Sequence, residues 1–255
     1  MTRLFQHDIY ALTDQYMPQN VASKWVVGFA LIFPTIVTWL YFIALRDQPP
    51  AFQQGAYVTS KLIQFGFPLL WVWFFQRHLL QRPKFTSRGI LPGIVIGLVV
   101  GGATLSVYWF VLKPNGFFAG PDEAVREKLQ GLGLTSTWKF ASVSLFYAIC
   151  HSFLEEYYWR WFVFRQLNQI TKLPVAVAVS SLGFMAHHVL VLATYFGWQS
   201  PATWLFSAAV AVGGAMWAIL YHRSQSLFAP WISHCLVDAA IFLLGFDLAR
   251  DVFVS

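Results

Sequence analysis

Two adjacent glutamates, Glu155 and Glu156, lie inside the apolar run His151-Ser-Phe-Leu-Glu-Glu-Tyr-Tyr-Trp-Arg160. An ionised carboxylate costs several kcal/mol in hydrocarbon unless it is paired or protonated, so two of them there need a reason. Two further apolar runs carry polar insertions. One is Phe184-Met-Ala-His-His188, with His187 and His188; the other is His234-Cys-Leu-Val-Asp238. Residues four apart on a helix share a face, which makes Glu156 and Arg160 a ready ion pair and sets His234 beside Asp238. Glu155 turns about 100° away from that pair and has His151 as its own i−4 neighbour. Two carboxylates in two environments separate a structural task from an acid–base one. Glutamate, histidine and aspartate brought together from three segments can activate water, so the chemistry expected is hydrolysis.

The composition says where this chemistry happens. The chain is 57% hydrophobic and 11% charged, whereas soluble domains carry about 25% charged residues. That predicts a multi-spanning membrane protein. The formal charge of +6 reflects few acids and short basic loops. No basic run interleaves with polar residues on a soluble face, which argues against nucleic-acid binding. Cys150 and Cys235 both fall in apolar segments and provide no disulfide framework. The first twenty or so residues are polar and lack a secretion-signal pattern, so the first apolar segment reads as a retained span.

Seven segments are long enough to cross a bilayer, which needs about 20 apolar residues. They lie near 25–45, 57–76, 90–112, 138–164, 174–196, 202–221 and 227–246. The expected fold is all-α: a polytopic bundle of about seven transmembrane helices around a polar intramembrane cavity, forming one membrane domain over 1–255. Tryptophans 25, 138, 198, 204 and 231 fall near segment ends, where an interfacial belt places them. The densest basic loop runs from Arg77 to Arg88, with Arg82 and Lys84 between them. If it is cytoplasmic, the N-terminus is inside; the opposing signal is Lys113, Arg126, Lys128 and Lys139 in the 113–139 connection. Within that connection, residues 121–131 read as a short helix, with proline first, acids in the first turn and glycine last. The third segment carries Gly89, Gly93, Gly97 and Gly101, a stripe that admits a close neighbour. Such a stripe serves packing inside the bundle or self-association.

Depth places the polar residues together. At about 1.5 Å per residue, Glu155, His188 and His234 lie roughly 15, 21 and 10 Å from the cytoplasmic ends of their segments. Helix tilt absorbs differences of that size. All three are therefore expected to line one cavity.

At these residues the sequence resembles a known family. Glu155-Glu156-x-x-x-Arg160, Phe184-x-x-x-His188 and His234-x-x-x-Asp238 are similar, in order and on separate segments, to the three motifs of the CPBP family. These are the CAAX-protease and bacteriocin-processing, or abortive-infection, proteins, which include the type II CAAX prenyl endopeptidases. The resemblance covers about 140–246. It implies a glutamate-dependent intramembrane endopeptidase in which Glu155, His188, His234 and Asp238 are catalytic and Glu156 and Arg160 support them. One departure is Trp161, where many members have glycine, which puts the substrate rather than the chemistry in doubt.

The implied mechanism holds a water between Glu155 and His188, with Glu155 as general base and His234 as donor to the developing oxyanion. Asp238, less suited than asparagine to face an oxyanion, would orient His234. No cofactor is expected. Zinc is the rival, since two histidines and a glutamate make a catalytic set, although no His-Glu-x-x-His pattern occurs. Cys235 projects away from His234 and is a poor nucleophile there. A proton-coupled transporter would use similar residues but favours paired half-bundles, and no repeat is visible. A catalytically silent scaffold or immunity factor of the same family is the remaining alternative. The expected partners are the lipid bilayer and a membrane protein or peptide, with or without a prenyl group; the expected location is the cell membrane. Oligomeric state is not legible.

Overall fold

The structure, a computed structural model, describes residues 21–76 and 89–253. The polar N-terminal segment and the basic loop from Arg77 to Arg88 lie outside the described residues. The described residues form helices and short turns and contain no strand. Helix α1 is Val21–Trp39, prolonged by a π-helical turn, Leu40–Ala44. Helix α2 is Pro50–Phe75, and α3 is Ile90–Val107 with a π turn at Tyr108–Leu112. Helix α4 is Pro121–Gly131, with the start and stop expected of it. Helix α5 is continuous over 137–170, and α6, α7 and α8 are Leu173–Phe196, Pro201–Ser224 and Phe228–Leu248.

Local chemistry sets these limits. Pro50, Pro121 and Pro201 occupy the first helical position, where the absent N–H costs nothing. The Ser136 hydroxyl accepts from the Lys139 amide to start α5. Gly197, at φ +85°, takes a positive-φ conformation that glycine tolerates and so ends α6.

Among the described residues, six helices are long and apolar enough to cross a membrane. They correspond to six of the seven expected segments, and α5 is the other. At on the order of 50 Å α5 is ample in length, but Glu155, Glu156 and Arg160 lower its apolar character. Large apolar side chains such as Leu62, Trp73, Phe110 and Leu205 face outward, each more than half exposed. Such a surface suits lipid, and the protein is a multi-pass membrane protein.

The interior is built on α5. Tyr158, Trp159, Phe162 and Phe164 are almost wholly buried and pack with Val27 and Ala30 of α1, Phe184 of α6 and Trp217 of α7. The glycine stripe of α3 receives α8. A Cβ at Gly97 would sit 2.8–3.0 Å from Leu236 and Ser233, and one at Gly101 would sit 3.2 Å from Ala240. Only hydrogen at those positions lets α8 seat at that depth. The stripe is therefore a packing seam, already covered, and not a self-association face. Tyr108 and Lys113 both donate to Asp247, closing the far end of the same α3–α8 pair. Helix α4 is tied across the bundle. Lys128 donates to the Tyr41 hydroxyl at 3.3 Å, and Arg126 donates to the Leu248 carbonyl.

Candidate active site

Helix α5 is not a regular α-helix where the chemistry lies. A π turn, Tyr147–His151, precedes the α-helical residues Ser152–Glu156, and a longer one, Tyr157–Phe164, follows them. Each π turn holds more residues than an α turn, and such turns recur at functional sites. They flank Glu155-Glu156 on both sides and re-aim the side chains around the pair.

Glu156 is fully buried. Its Oε2 lies 3.1 Å from Arg160 Nε, an ion pair off the hydrogen-bond axis, and its Oε1 accepts from His234 Nδ1 at 2.8 Å. The Arg160 guanidinium also donates to the Gly214 carbonyl at 3.3 Å and rests over the rings of Phe184 and Trp217, 4.9 and 5.3 Å from their centroids. A buried charge needs such compensation on several sides.

Glu155 faces elsewhere, onto imidazoles. Its Oε1 is 3.6 Å from His187 Nε2, and its Oε2 is 3.7 Å from His234 Nε2 and 3.9 Å from His151 Nδ1. His188 Nδ1 donates to the Phe184 carbonyl at 2.9 Å, which leaves its Nε2 as the basic nitrogen. Asp238, half-buried, has Oδ1 3.5 Å from His234 Nε2. The His234 ring is stacked on Trp217 at 3.9 Å, and Trp217 Nε1 donates to Ser233. Its position is thus fixed by a plane on one face and a carboxylate on Nδ1.

Every residue singled out from the sequence therefore stands in one cluster: Glu155, Glu156 and Arg160 from α5, His188 from α6, and His234 and Asp238 from α8. The tertiary structure redistributes contacts within it. His187, half of a histidine doublet given no task by the motif resemblance, has a ring nitrogen within 4 Å of Glu155, and its ring lies parallel to Trp159. The short contact to His234 Nδ1 comes from Glu156, whereas Asp238 stands off Nε2. His151, visible in sequence as the i−4 neighbour of Glu155, occupies that position. Trp217 carried no sequence signal, being one of twelve tryptophans. Trp161 stacks on Tyr157. Cys150 and Cys235 are unpaired thiols.

Glu155, His187 and His188 offer ligand atoms within 4.8 Å of one another. The donor set, one carboxylate and two imidazoles, fits zinc, and the hydrogen bond from His188 Nδ1 is of the kind that orients a ligating imidazole.

The fold and the site define a multi-pass helical membrane bundle with a buried glutamate–histidine cluster. Within it, residues 137–240 match the family model described as Type II CAAX prenyl endopeptidase Rce1-like. All three motifs lie inside the matched segment, which is similar to that family. No curated protein and no solved structure matches the chain significantly.

Proposed function

We propose that the protein is an intramembrane endopeptidase that hydrolyses a peptide bond of a membrane-associated protein or peptide, with Glu155 as general base. The observation that carries the reading is the carboxylate of Glu155, 6% exposed, with three imidazole nitrogens at 3.6–3.9 Å. Those separations are too long for direct hydrogen bonds and of the size a shared water bridges. Glu155 takes a proton from that water as its oxygen bonds to the peptide carbonyl carbon and the carbonyl electrons move onto oxygen. A positioned base contributes about 10²–10⁴-fold. His187 and His188 line the same space and orient the water. His234, with acceptors facing both ring nitrogens, carries two N–H groups and donates from Nε2 to the oxyanion, worth roughly 10²–10³-fold. Glu156, held by Arg160, fixes the His234 ring. The C–N bond then breaks as Glu155 returns its proton to the leaving amine.

The Rce1-like segment and the membrane-embedded site support a substrate that reaches the site through the bilayer. An apolar groove along α5 and α8, lined by Phe140, Ala148, Ala239 and Phe242, lies on the two helices that carry Glu155 and Asp238. It suits a lipid or isoprenoid chain. The test is cleavage, in nanodiscs, of a prenylated peptide and an unmodified transmembrane peptide by the wild type and by Glu155→Gln. Cleavage of neither, or of both by the variant, refutes the reading.

The ligand set Glu155, His187 and His188 favours a second reading, in which a divalent metal is held there. When bound it would polarise the carbonyl and lower the pKa of water. Chelation with and without zinc returned, alongside elemental analysis of the same sample, separates the two readings.

A further inference from the structure

One charged side chain beside the cluster is unused by this mechanism. Lys61 lies on α2, in the middle of a membrane span. A lysine at that depth is costly and needs an anion, a water-filled space or a route to the interface. Nζ lies 5.6 Å from the Tyr57 ring centroid and 5.5 Å from that of Phe65, and it donates to Oε1 of the buried Gln64 at 3.2 Å. An ammonium has three donors, and one acceptor leaves two to fill. Among the described residues no carboxylate stands within ion-pair distance of Nζ.

The surroundings of Lys61 join it to the active site. The Phe65 ring is edge-on to His151 at 6.4 Å and to Tyr158 at 6.2 Å. Tyr157, next but one to Glu155, donates its hydroxyl to the Phe65 carbonyl. Phe65, one turn on from Lys61, thus packs against His151, whose Nδ1 lies 3.9 Å from Glu155. Lys61 is half-buried. An ammonium between two aromatic faces, hydrogen-bonded among the described residues to Gln64 alone and one turn from the ring that packs on His151, is suited to an anionic part of the substrate.

We propose that Lys61 is a specificity-determining residue that binds a carboxylate of the substrate, on the side of Glu155 nearer the amino-terminal end of α5. The inference rests on the endopeptidase reading and narrows it to peptides with a carboxylate near the scissile bond. That carboxylate can be the chain terminus or an acidic side chain; both offer the same two oxygens to the ammonium.

The experiment uses three fluorescein-labelled, S-farnesylated peptides of one sequence in nanodiscs. One ends in a free carboxylate, one in an amide, and one in an amide with glutamate as the last residue. Cleavage by the wild type is compared with binding to the Glu155→Gln protein, whose readout does not depend on turnover. A hydrogen bond to a charged group supports a preference of about tenfold or more for acid over amide in Kd. Lys61→Met should bring that ratio to about one, and Lys61→Arg should restore most of it. If the glutamate-bearing amide behaves as the acid, the side chain is an accepted source; if it behaves as the amide, the chain terminus is the ligand. Equal binding of acid and amide by the Lys61-bearing protein overturns the proposal. So does a Lys61→Met protein that weakens acid and amide alike, which would make Lys61 a general support of the cavity. A wild type that cleaves none of the peptides refutes the endopeptidase reading, while the acid-to-amide ratio in binding still judges Lys61.

Discussion

Removing the Arg160 guanidinium should unfold the protein at a markedly lower temperature, for a reason separable from catalysis. Glu156 is 0% exposed and Arg160 is 2% exposed. Arg160→Met keeps most of the side-chain volume and deletes the charge. It leaves the Glu156 carboxylate with His234 alone, removes the side-chain donor to the Gly214 carbonyl, and removes a cation from between Phe184 and Trp217. Breaking a buried pair from one side costs about 3–5 kcal/mol, because the remaining charge stays buried. A chain of this size moves about 2–4 °C in Tm per kcal/mol, so the expected fall is about 6–20 °C. The assay is thermal unfolding in a fixed detergent, followed by tryptophan fluorescence. Glu156→Gln combined with Arg160→Met removes both charges and should be less destabilised than Arg160→Met alone. A single variant within about 2 °C of wild type would refute the reasoning, as would a double variant at least as unstable as the single one.

The two glutamates should differ in kind. Glu155→Gln should lower proteolysis by about 10²–10⁴-fold with Tm within a few degrees of wild type; normal turnover, or a collapse in stability, would count against the assigned role. His187→Ala should reduce turnover at least as much as His188→Ala, because His187 Nε2 lies 3.6 Å from Glu155; full activity in the His187 variant would leave His188 as the water-orienting group. Activity should survive exhaustive chelation, and zinc should be absent from the purified protein in stoichiometric amount. Loss on chelation with recovery by zinc would establish the metal reading. Gly97→Leu should lower both stability and activity, since the added side chain must push α8, and His234 with it, away from α3. An active and stable Gly97→Leu protein would show that the seam does not position the site.

The helices could be read from the chain because each segment in the bilayer must satisfy its own backbone hydrogen bonds, and an apolar run of span length leaves few alternatives. The polar residues were visible for the complementary reason: hydrocarbon penalises charge, so Glu155, Glu156 and Arg160 stand out against their surroundings. Their face-sharing followed from spacing alone. The glycine stripe announced a close neighbour but not which one, since any helix with a smooth face fits a row of hydrogens, and α8 was identified only by the tertiary packing. Lys61 carried a signal of the same kind, a charge within an apolar run, and its meaning depended on the helix laid beside it. The contacts inside the cluster were undetermined in the sequence. Two π turns alter the angular step of α5, so regular α spacing does not fix how its two ends are turned relative to each other. Which histidine of a doublet faces Glu155, and which carboxylate holds His234, depends on the rotation and depth of α6 and α8. Those are set by packing against Trp159, Phe184 and Trp217, contacts between residues distant in the chain. Spacing along one helix fixes which of its own residues share a face, but the angle at which another helix meets that face is a property of the assembled core.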